Sequence, residues 1–212
     1  MERDLSKKQI IYIGGGESFL NHSDYIERLK TIPLWHMDKE ESGSKPKKWT
    51  HSLEEELGDS YEIILPPMPN RENAKYEEWK IWFERHFEYL HDGAIVMGCS
   101  LGAMFLGRYL TENTLPFQAG GIFLLAAAVP LPDENHTDFG DFLIDLEKVS
   151  TVTRNNKNVV IMHSEDDFVV PYHHGVKLAE TMPDAEFITY KDKNHFLISE
   201  FPEIVEKIKQ IS

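Results

Sequence analysis

Short apolar runs, rich in β-branched residues, alternate along this chain with longer stretches whose apolar side chains recur every three or four positions. The runs are IIYI at Ile10–Ile13, YEIIL at Tyr61–Leu65, AIVM at Ala94–Met97, GIFLLAA at Gly121–Ala127, VVIMH at Val159–His163 and EFITY at Glu186–Tyr190. Most are apolar throughout instead of alternating, as strands covered on both faces are. Between them, YEEWKIWFERHFEYL places Tyr76, Trp79, Phe83, Phe87 and Leu90 on one helical face. LGAMFLGRYLTE is apolar nearly all round, the pattern of a buried helix. HGVKLAETM reads as a helix ended by Pro183, and FPEIVEKIKQI as a closing helix with Ile204, Ile208 and Ile211 on one face. Strands alternating with helices predict a three-layer α/β/α sandwich around a mostly parallel sheet of about six strands. Trp79 and Trp82 belong to core and flank in this reading.

Length and composition narrow the picture. With 212 residues, 41% of them hydrophobic, the chain reads as one globular domain spanning 1–212. No apolar run reaches the roughly 18 residues that span a bilayer, so no membrane is expected. The charged start, MERDLSKKQI, lacks the apolar segment of a secretory signal. Cys99 is the single cysteine, which excludes a disulfide framework and fits a reducing, cytoplasmic setting. A formal charge of −14 argues against nucleic acid, because phosphate binding needs clustered Lys and Arg. The basic cluster KPKKW at Lys45–Trp49 reads as a solvated loop among acidic neighbours. The segment 34–50, LWHMDKEESGSKPKKWT, is the least regular, and Trp35 and Trp49 look exposed there. It reads as a surface insertion or as a lid over a site.

The loop after the first strand, IYIGGGESF, is the first place to seek a ligand in such a fold. A dinucleotide loop is excluded because Phe19 stands where G-x-G-x-x-G needs its third glycine, and no Gly-Lys-Ser/Thr follows for a P-loop. Three glycines do let backbone N–H groups approach a ligand closely. No cofactor is implied. His163, His173, His174 and Asp166 match no compact metal spacing, so no metal is expected.

Gly98-Cys99-Ser100-Leu101-Gly102 carries the chemistry. A strand running into a helix through G-x-S-x-G puts the serine on a strained turn, with small residues relieving the crowding two positions either side. Ser100 Oγ then stands above the sheet, and the Leu101 N–H at the helix start points into the same space. Cys99, at the x position, reads as a buried small apolar residue. A serine hydroxyl needs a base. His195 follows the last predicted strand, and Asp166 and Asp167 follow the one before it, with 28 residues from Asp167 to His195. Ser, Asp and His thus occur in the order of hydrolases built on this elbow, all at the carboxyl edge of the sheet.

With GGGES, LPPMPN, GCSLGA, HSEDDFVVP and KNHF in this order over nearly the whole chain, the sequence resembles the α/β-hydrolase superfamily. It is most similar there to the small serine hydrolases of the YdeN and retinoblastoma-binding-protein-nine type. The resemblance implies that Asp167, four residues before Pro171, is the acid, and that the N–H groups of Gly16 and Leu101 form the oxyanion hole. Gly14 stands where many relatives carry a histidine. The activity implied is hydrolysis of a small carboxylic ester, thioester or amide through an acyl-enzyme. A non-catalytic module with a protein partner, or an acyltransferase, is the alternative. LPPMPN reads as a rigid turn that could wall the pocket, and loops near 34–50, 66–75 and 130–148 as the seat of specificity.

Overall fold

All six apolar runs become strands of one sheet. A computed structural model describes residues 6–32, 48–132, 134 and 139–211. In chain order the elements are β1 (Lys8–Ile13), α1 (His22–Thr31), α2 (Trp49–Leu57), β2 (Tyr61–Ile64), α3 (Tyr76–Arg85), β3 (Ile95–Cys99), α4 (Leu101–Glu112), β4 (Gly121–Leu125), α5 (Thr151–Asn155), β5 (Val159–Ser164), α6 (Tyr172–Thr181), β6 (Glu186–Tyr190) and α7 (Pro202–Ile211). The strands pair in the order β2-β1-β3-β4-β5-β6, each pair parallel.

Successive residues of a strand face opposite sides of the sheet, so a wholly apolar strand feeds two cores at once. Ile11, Ile13, Val96, Ile122, Leu124 and Ile161 pack on one side with Trp79, Phe83, Phe105 and Leu106 of α3 and α4. Ile10, Ile95, Met97, Phe123, Leu125 and Met162 pack on the other with Trp49, Leu53, Ile204 and Ile208 of α2 and α7. This is the expected three-layer α/β sandwich.

Two expectations are corrected. Trp49 does not lie exposed in an irregular segment: it opens α2, is only 3% exposed, and donates its indole N–H to the Phe196 carbonyl at 3.2 Å. Its ring meets Tyr12 and Phe201 edge-on, so burial of a large aromatic overrides the polar composition of its neighbours. The helix predicted through Leu90 ends at Arg85, and a 3₁₀ turn follows at Phe87–Tyr89. Most of the proposed lid, 34–47, lies outside the described residues. Among the described residues no helix is long and apolar enough to cross a membrane.

The first strand sends its connection to β2 on one side, and β3 lies on the other. The strand order therefore reverses between β1 and β3, and a crevice opens outside their carboxyl ends. The glycine loop and Ser100 both lie there.

Candidate active site

Ser100 joins β3 to α4 with φ +56° and ψ −124°, a conformation that side-chain-bearing residues rarely adopt. The flanking glycines are needed for close backbone contact. A Cβ at Gly98 would lie 2.4 Å from the Gly102 carbonyl oxygen, and one at Gly102 would lie 2.1 Å from the Ile13 oxygen. The elbow is thus wedged against both its own helix and β1. Its backbone is tied down by Ser100 N–H, which donates to the Leu125 oxygen at 2.9 Å. Leu101 begins α4, where the first N–H groups have no intrahelical acceptor and the helix dipole favours negative charge.

Ser100, His195, the glycines 14–16, Leu65–Met68, Trp49 and Arg71 line one cleft of about 540 Å³. That size suits a small ligand. LPPMPN thus supplies part of a wall. Ser100 Oγ and His195 Nε2 are not hydrogen-bonded; such contacts are commonly long until substrate enters.

The candidate acid and base sit on adjacent loops. His195 Nδ1 lies 2.8 Å from Asp167 Oδ2 and 3.1 Å from Oδ1. Asp167 Oδ1 also accepts the Val169 and Val170 N–H groups at 2.8 and 2.9 Å. Burial alone would raise the Asp167 pKa. The bonds from His195, Val170 and Val169 outweigh it and hold the carboxyl below the usual carboxylate range. Asp166 faces solvent and does something else: its Oδ1 accepts the Ser164 hydroxyl at 2.5 Å and the Asn194 N–H at 2.8 Å. It ties the acid loop to the histidine loop.

Sequence reasoning did not single out His163 as a neighbour of this site. It is fully buried behind Asp167, donating Nε2–H to the Val170 carbonyl at 2.9 Å and lying 3.5 Å from Asp167 Oδ2. Burial pushes its pKa down, more than the Val170 carbonyl and Asp167 raise it, which keeps the ring neutral. Its Nδ1 is buried without a partner, and a Cβ at Gly175 would lie 2.5 Å from that atom. The spacing of His163 to Gly175 was visible, but nothing in it told of contact.

Cys99 lines the cleft floor as a buried thiol beside Tyr12, and burial pushes its pKa up to about 12, so it is no nucleophile near neutral pH. The histidines weighed as metal ligands divide. His163 stays with Asp167, whereas His173 and His174 meet Glu134, with Nε2 to carboxylate distances of 2.6 and 2.9 Å. Among the described residues these three form the one group whose donor atoms converge as a metal site would require. Each Nε2 already meets the carboxylate, and the Val129 N–H and carbonyl lie 3.2 and 3.1 Å from His174 Nδ1.

The fold has counterparts among solved structures. The chain is 28% identical over 146 residues to the Bacillus subtilis (strain 168) protein YdeN, covering 68% of this chain and 75% of that one. The crystal structure of the B. subtilis ydeN gene product superposes with a TM-score of 0.71 at 21% identity, over 97% of this chain and 98% of that one. Est1E from Butyrivibrio proteoclasticus shares the fold at a TM-score of 0.59 and 14% identity, over 97% and 86% of the two chains. The profile of the serine hydrolase family matches residues 41–209, four-fifths of the sequence; with the elbow serine and the parallel sheet already described, this chain belongs to the serine hydrolase family and has the α/β-hydrolase fold.

Proposed function

We propose that this hydrolase cleaves a small carboxylic ester, thioester or amide through an acyl-enzyme on Ser100, with His195 as base and Asp167 as its partner. The observation that carries the reading is a serine on a strained elbow sharing one cleft with a histidine whose far nitrogen is bonded to a buried carboxylate. His195 Nε2 takes the Ser100 proton as Oγ attacks the acyl carbon. Asp167 accepts Nδ1–H, fixes the tautomer and stabilises the imidazolium. The N–H groups of Gly16 and Leu101 receive the negative charge on the former carbonyl oxygen. Collapse expels the alcohol, thiol or amine, which leaves with the proton from His195. Water then repeats the sequence on the acyl-enzyme. No step calls for a metal or cofactor. The substrate is a small acyl compound, and the lone, buried Cys99 fits a reducing cytoplasm.

Fluorophosphonate labelling followed by intact mass tests this. The wild type should gain a single adduct that Ser100→Ala lacks. A folded wild type that stays unlabelled would remove Ser100 from the role of nucleophile.

A further inference from the structure

We propose that Arg71 is the positioning residue of the oxyanion hole, its guanidinium fixing the Gly15–Gly16 peptide so that the Gly16 N–H points to where charge develops. The proposal rests on the hydrolase reading above and concerns how its first oxyanion donor is held.

Three glycines in a row are a poor platform for a preorganised donor, because each loses more backbone freedom on ordering than any other residue. Something must hold them. Arg71, at the start of a 3₁₀ turn spanning Arg71–Asn73, donates Nε–H and Nη2–H to the Gly15 oxygen at 2.9 and 2.6 Å. The same residue's carbonyl accepts the Glu17 N–H at 2.7 Å. Ala74 N–H donates to the Glu17 oxygen at 2.8 Å, and Ser18 Oγ donates to the Ala74 oxygen at 2.8 Å. Residues 15–18 are therefore laced to 71–74 on both sides of Gly16. Among the described residues, the Gly16 N–H has no acceptor of its own.

The Gly15 carbonyl and the Gly16 N–H belong to one peptide plane. That bond is trans, as are all among the described residues, so the two groups point in opposite directions. Fixing the carbonyl on Arg71 turns the N–H away from Arg71. Gly15 faces Ser100 closely: a Cβ there would lie 3.1 Å from Ser100 Cβ and 3.4 Å from Oγ. A Cβ at Gly16 would lie 2.5 Å from the Arg71 oxygen, so the close lacing itself demands glycine. A Cβ at Gly14 would lie 3.7 Å from Arg71 Nη2, so the guanidinium sits beside the space a side chain there would enter. A cation on the carbonyl also polarises the peptide and makes its N–H a stronger donor.

The test compares wild type, Arg71→Ala and Arg71→Lys by p-nitrophenyl ester turnover, thermal unfolding and inhibition by a trifluoromethyl ketone, whose serine adduct carries the oxyanion. Outright loss of one such donor lowers kcat by about 10²–10³-fold, and a mis-aimed one should lower it by about 10–100-fold. Arg71→Ala should show that fall in kcat with KM and Tm near wild type, and an equal weakening of the ketone. Arg71→Lys should recover part of both, since one ammonium donor can reach the carbonyl without the two-pronged grip. Unchanged kcat in Arg71→Ala, or a loss confined to KM, would overturn the assignment. So would a loss that tracks a lower Tm and that lysine does not relieve. A wild type unlabelled by fluorophosphonate would overturn the hydrolase reading and this proposal together, whereas a labelled wild type with unaffected variants overturns this proposal alone.

Discussion

Replacing Gly102 by alanine isolates the contact that holds the elbow. Its new methyl would lie 2.1 Å from the Ile13 oxygen, 2.7 Å from the Ile13 carbonyl carbon and 2.8 Å from the Gly14 oxygen. All three are backbone atoms of β1 and its loop, so no rotamer change relieves them. Overpacking costs about 1–3 kcal/mol, and a rigid neighbour puts this case near the top of that range. Alanine returns up to about 1 kcal/mol of helix propensity. The net is a destabilisation of about 2 kcal/mol, or a Tm lower by roughly 4–8 °C at this chain length. Gly107 on the same helix is the control. A methyl there would lie 2.7 Å from Ile144 Cδ1, the end of a side chain that can rotate away. Gly107→Ala should therefore stay within about 1 kcal/mol of wild type, the propensity gain offsetting the repacking. Differential scanning calorimetry of the two variants decides it. Gly102→Ala as stable as Gly107→Ala would refute the claim that backbone contact, and not flexibility, explains this glycine.

Asp167→Asn should lower kcat by about 10³–10⁴-fold, because the amide cannot hold the required tautomer of His195, while Asp166→Asn keeps an oxygen for Ser164 and Asn194 and should lose only a few-fold; ester kinetics showing the reverse order would exchange the two roles. Stability should fall between pH 7.5 and 5.5. Burial holds the folded pKa of His163 below its usual 6.5, despite the opposing Val170 carbonyl and Asp167 and with help from His195 and His174. The unfolded chain thus binds a proton there that the folded one refuses. The contribution is whole above 6.5 and shrinks as pH drops, until the folded value is passed. Asp167, shifted down, adds nothing to this window, since its own contribution is lost only as pH falls into the usual carboxylate range and below it. Urea midpoints that stay flat, or a slope unchanged in His163→Gln, would contradict the account.

The sheet was legible because most strands, β3 to β5 above all, are apolar on both faces, and β3 to β6 begin within a residue of where the predicted runs start. The helices were legible where a wide apolar stripe marks them, as in α3, α4 and α7. α1 was not, because it buries no residue and its apolar positions are only Tyr25, Ile26 and Leu29. α2 does carry Trp49, Leu53 and Leu57 at helical spacing, but a polar, basic approach hid its start. At the site, strand-to-helix context pointed to Ser100, and chain order to His195. Choosing between Asp166 and Asp167 needed the resemblance, since adjacent carboxylates on a loop look alike until their partners are seen. Arg71 and His163 were invisible for one reason: each acts through a contact with a residue distant in sequence or with a main-chain atom, and neither leaves a trace in spacing.

The tie made by Asp166 has an evolutionary reading. By joining the loop of the proposed acid to the loop of the proposed base, it makes Asp167 and His195 a prefabricated cassette carried on β5 and β6. The opposite bank of the cleft, from the glycine loop to Leu65–Met68, hangs on β1 and β2. A lineage can therefore recut that bank for a new ligand while the Asp167–His195 half is inherited intact.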